Sequence, residues 1–102
     1  MTNMGLASET NGGGTLMETK MRQDRLIEVV KLLERGAWQD AHVIVQPEKS
    51  AEAAWLHGIV HTLEGDLENA QHWYRKANRA FPGRDAVQAE IAAARELLAR
   101  AE

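Results

Sequence analysis

From Leu26 to Leu98 the apolar residues recur at steps of three and four, and no stretch keeps a two-residue alternation for long. That is the periodicity of amphipathic helices rather than of strands. Leu26, Ile27, Val29, Val30, Leu32 and Leu33 give a first helix a wide apolar face, and Gly36 ends it. Its start is marked by Thr15-Leu16-Met17-Glu18, which has the form of a capping box. Trp38 to Gln46 reads as a short second helix stopped by Pro47. Ser50 can cap a third, which carries Trp55, Leu56, Ile59, Val60 and Leu63 up to Gly65. Asp66 can cap a fourth that runs through Ala80 and closes at Pro82-Gly83. Asp85 and Gln88 open a fifth, with Val87, Ile91, Ala94 and Leu98 along one side. The pattern predicts an all-α chain.

Residues 1–14 lack any such period, are polar, and end in Asn11-Gly12-Gly13-Gly14. They read as a disordered tail ahead of one helical domain, 15–102. A chain of 102 residues has room for only one domain with a modest core.

A longer period underlies the helices. Leu63-Glu64-Gly65-Asp66-Leu67-Glu68-Asn69-Ala70 echoes Leu33-Glu34-Arg35-Gly36-Ala37-Trp38-Gln39-Asp40-Ala41, with the same interval from Gly36 to Gly65 as from Ala41 to Ala70. In each copy a glycine ends one helix, and a small residue five places on lets the next helix approach closely. Residues 51–84 match the length of one tetratricopeptide unit, about 34 residues, whose pattern is W-x2-L-G-x2-Y, A-x3-F and P. Gly58 fits the glycine, Ala70 and Tyr74 the A-x3-F pair, and Pro82 the proline; Gly65 and Ala77 stand at small positions that the family favours. On these residues the sequence resembles the tetratricopeptide repeat family.

It departs from the pattern at Ala54, His57 and His61, which replace the tryptophan, leucine and tyrosine. The upstream copy is also truncated, because Pro47 follows Ala41 sooner than Pro82 follows Ala70. The resemblance implies antiparallel helix pairs stacked as a short right-handed solenoid, closed by the last helix as a cap. It implies a concave apolar groove lined by Leu26, Val30, Leu33, Trp55, Leu56 and Ile59, which binds a protein or peptide. A scaffold of this kind is no enzyme and needs no cofactor. In an isolated chain the same patch would favour weak homodimers.

Composition narrows the classes. A formal charge of −3 argues against a nucleic-acid partner. The absence of cysteine removes disulfides and thiolate chemistry. No stretch approaches the roughly 18 apolar residues of a membrane span, and Met1 to Gly14 has no apolar centre of a signal peptide. A soluble, cytoplasmic protein is expected. The only serines are Ser8 and Ser50, and no nucleophile stands with a base.

One alternative rests on histidine. His57 and His61 lie four apart and share a helix face, a spacing at which two imidazoles converge on one ion. His72 on the next helix, with Glu64 and Glu68 at the turn, can approach them. A metal-binding or metal-dependent protein built on His57, His61 and His72 is therefore the second reading. Against it, Gly58 stands where a zinc protease carries its glutamate, and histidines at repeat positions can serve as packing. Arg75, Lys76, Arg79 and Arg84 form a basic cluster that either meets an anion or opposes the dipole of the fourth helix.

Overall fold

The computed structural model describes residues 16–100, so the tail and the capping box at Thr15 lie outside the described residues. Among them are five α-helices, one 3-10 turn and no strand. The helices are α1 (Leu16–Glu34), α2 (Trp38–Val45), α3 (Ala51–Glu64), α4 (Leu67–Lys76) and α5 (Val87–Arg100), with the 3-10 turn at Arg84–Ala86. No helix is long and apolar enough to cross a membrane.

The helix ends follow from backbone chemistry. Ser50 Oγ accepts from the Ala53 amide at 3.1 Å, and Asp66 Oδ1 accepts from the Asn69 amide at 3.2 Å. Each satisfies a donor that the helix itself leaves open. At the end of α1 the Ala37 amide donates to the Leu32 carbonyl across Gly36, whose φ is +76°. At the end of α3 the Asp66 amide donates to the His61 carbonyl across Gly65, at φ +96°. Both are Schellman closures.

A third closure falls ahead of the Pro82-Gly83 stop. Helix α4 stops at Lys76 rather than continuing to Ala80, because Asn78 takes φ +63° and the Arg79 amide donates to the Tyr74 carbonyl. Asparagine tolerates the left-handed region better than most residues, so it does here what glycine does at the other two ends.

Helix α3 is the centre of the fold, buried on every side from Ala53 to Thr62. Its closest approach is to α4, where Gly58 faces the Tyr74 ring and the Ala70 carbonyl. Ala70 is wholly buried there, as the small-residue pattern predicts. The core joins Leu26, Val29, Val30 and Leu33 of α1 to Val45 of α2, Ile59 and Val60 of α3, Tyr74 of α4, and Ile91, Ala94 and Leu98 of α5.

The expected groove is corrected by α5. Leu26, Val30, Leu33, Trp55, Leu56 and Ile59 are each exposed by 4% or less. Instead of lying open to a partner, they are core. The reason is that α5 packs on both α1 and α3 and puts Ile91, Ala94 and Leu98 into the space between them. Polar contacts hold it there. Glu90 Oε1 accepts from Trp55 Nε1 at 3.0 Å and from the Tyr74 hydroxyl at 2.8 Å, and Gln23 Nε2 donates to the Leu98 carbonyl at 3.1 Å. The Arg79 guanidinium covers the Trp55 ring at 3.5 Å from its centroid. The patch expected to drive weak homodimers is the same surface, and it is internal.

Candidate metal centre

All four histidines of the chain line a single open hollow of about 540 Å³, together with Gln46, Asn69 and Trp73. Three of them form a cluster. His57 and His61, one helical turn apart on α3, meet His42 from α2, which packs alongside. Their ring centroids lie 4.8, 5.2 and 5.0 Å apart, close to an equilateral triangle. One ring nitrogen from each falls within 4.8 Å of the other two.

One pair of these nitrogens is spaced as two ligands of a single ion would be. Nε2 of His42 and Nε2 of His57 share a hydrogen bond at 3.1 Å. Two imidazoles bound to one tetrahedral ion at 2.0–2.1 Å bring their nitrogens to about 3.3 Å, so the pair is separated almost as a shared ion requires. His61 Nδ1 lies 2.7 Å from Glu64 Oε1. A carboxylate on one ring nitrogen fixes the tautomer and leaves Nε2 as the free donor, the arrangement found behind metal-bound histidines.

Burial and stacking prepare His57 for the same role. Its ring lies parallel to the Trp73 indole, with centroids 3.8 Å apart and planes 8° apart. Burial first, then the neighbouring His61, His42 and His72, push its pKa down to about 4. The imidazole therefore stays neutral at ordinary pH, and the neutral ring is the one with a lone pair to give.

The trio expected from the sequence is thus changed by one member. His72 lines the same hollow and meets the Trp73 ring edge-on at 5.4 Å, but it is exposed and outside the cluster. On α4 it stands two residues, about 200° of helix rotation, from Ala70, which faces α3. His42 takes its place. That residue comes from the truncated copy of the repeat, where no local spacing couples it with His57. The signal that was present is cruder: every histidine of the chain falls in three successive helices. Glu68 is exposed and belongs to no group of converging ligands, whereas Glu64 is drawn in through His61. Of the basic cluster, Arg79 is spent on Trp55, and Lys76 Nζ sits 5.2 Å from the Trp73 centroid.

Among family models, curated proteins and solved structures, none matches this chain.

Proposed function

We propose that this protein binds one divalent transition-metal ion through His42, His57 and His61, on a short helical-repeat scaffold of the tetratricopeptide kind. The observation that carries the reading is the convergence of three ring nitrogens from two helices, with Glu64 behind one of them. Nitrogen donors without thiolate or free carboxylate suit zinc, copper, nickel or cobalt better than magnesium or calcium. Three protein ligands would leave a tetrahedral ion one position short, and the three histidines line the same open hollow as Asn69 and His72. Support for the scaffold comes from the two glycine closures and from the tight α3–α4 contact at Gly58 and Ala70.

The test is linkage. An ion bound only by the folded chain raises its melting temperature with concentration. Added Zn²⁺ is expected to raise the Tm of the wild type and to leave His57→Ala unmoved. Equal shifts in both proteins, or none in either, contradict the reading.

A protein-interaction role is the second reading, and its surface moves from the interior to the start of α1. Leu16, Met17 and Met21 are exposed there by 88%, 68% and 50%, an unusual run of bare apolar side chains. Retention of a partner on immobilised wild-type chain, lost with Met17→Ser/Met21→Ser, supports that role; equal retention by both contradicts it.

A further inference from the structure

The hollow that holds the histidines has a neighbour on the other side of two of its walls. A second hollow of about 400 Å³ is lined by Lys49, Ser50, Ala51, Ala54 and Lys76, and the two share Gln46 and Trp73 as walls. The acid of this second hollow is already engaged, since Glu48 accepts from Arg25 Nε at 2.9 Å. Lys49 and Lys76 have no carboxylate within ion-pair distance among the described residues. One side of Gln46 and Trp73 thus offers an incomplete metal site, and the other offers two uncompensated ammonium groups.

We infer that the open position of the metal takes a small organic dianion: one negative group ligates the ion beside Asn69 and His72, and the other lies past Gln46 and Trp73 on Lys49 and Lys76. This rests on the metal-binding reading above. It deepens that reading, because a structural ion needs no exogenous ligand and no cationic neighbour. The chemistry is that of charge-assisted hydrogen bonds at both ends, with lysine acting as a point charge that accepts either a carboxylate or a phosphoryl group.

The experiment uses the cobalt-loaded full chain, whose visible absorption reports the number and kind of ligands on the ion. Cobalt is titrated first, alone. Absence of imidazole-type bands removes the metal reading and this inference with it. Given those bands, acetate, succinate and 2-phosphoglycolate are added in turn. Succinate or 2-phosphoglycolate should shift the bands at concentrations about tenfold or more below acetate, the ratio one additional charged hydrogen bond supplies. The tighter of the two identifies the second group as carboxylate or phosphoryl. In Lys49→Gln/Lys76→Gln the cobalt bands should persist while that advantage disappears. Cobalt binding with no response to any anion, with acetate equal to the dianions, or with the advantage intact in the double variant overturns the inference and leaves the metal site standing.

Discussion

The imidazole of His57 lies flat against the indole of Trp73, with 3.8 Å between centroids and 8° between planes. The contact joins α3 to α4 at the mouth of the hollow. It also sets which way His57 presents its ring nitrogens, because a ring stacked on a half-buried indole cannot turn freely. Trp73 is thus a positioning residue for the proposed metal centre. Replacing it with alanine frees the ring, and metal affinity measured by chelator competition should fall about tenfold, as for other groups that orient a ligand. Unchanged affinity would show that the α3 backbone alone aims His57.

Stability should depend on pH through the same ring. The folded chain holds the His57 pKa at about 4, below the 6.5 of the unfolded group. Between these values the unfolded state binds more protons than the native one, so stability rises with pH across that interval. The contribution is complete above about pH 6.5, is lost as pH falls, and is gone below about 4. Urea midpoints of the metal-free chain should therefore decline from pH 7 to pH 4, and His57→Gln should decline less. Parallel curves would assign the acid sensitivity to other groups.

At Gly58 the α3–α4 contact leaves no room for a side chain. An added Cβ would sit 2.6 Å from Tyr74 Cδ1 and 3.3 Å from the Ala70 carbonyl oxygen. The Tyr74 hydroxyl is tied to Glu90 at 2.8 Å, so the ring cannot simply swing aside. Gly58→Ala should cost about 1–3 kcal/mol by overpacking, and Ala70→Leu a similar amount. Ala89→Leu, on the exposed side of α5, should stay within about 0.5 kcal/mol of wild type. Chemical denaturation of the three variants decides whether the helix interface is placed correctly.

Ile59 separates a core from a groove. As a groove residue its truncation would spare the fold and weaken only a partner. As a fully buried residue of the core, Ile59→Ala should cost about 2–5 kcal/mol of unfolding free energy. A loss under about 0.5 kcal/mol would return Ile59 to the surface.

Much of this architecture is legible in the chain because short-range chemistry decides it. The three- and four-residue periods, Ser50, Asp66, Gly36 and Gly65 mark helices and their ends without reference to anything distant. Asn78 shows the boundary of that legibility: Pro82-Gly83 is the louder stop, and only the finished backbone shows the quieter one acting first. The apolar stripe Ile91, Ala94, Leu98 is equally plain, but a stripe does not say which helices it covers. Packing on α1 and α3 rather than at one end of the stack converts the expected groove into core. For the site, a local rule finds His57 and His61 because one helix carries both. His42 escapes it because its coupling to His57 crosses a helix boundary, and His72 stays outside the cluster because adjacency of helices does not set the direction of a side chain.

X-ray absorption at the zinc edge of the zinc-loaded chain decides whether His42, His57 and His61 bind one ion together. Shared binding gives nitrogen and oxygen scatterers at about 2.0–2.1 Å, with the outer-shell scattering of three imidazoles, and loss of one imidazole in His42→Ala. A first shell of oxygen alone, or a spectrum unaltered by His42→Ala, would contradict it.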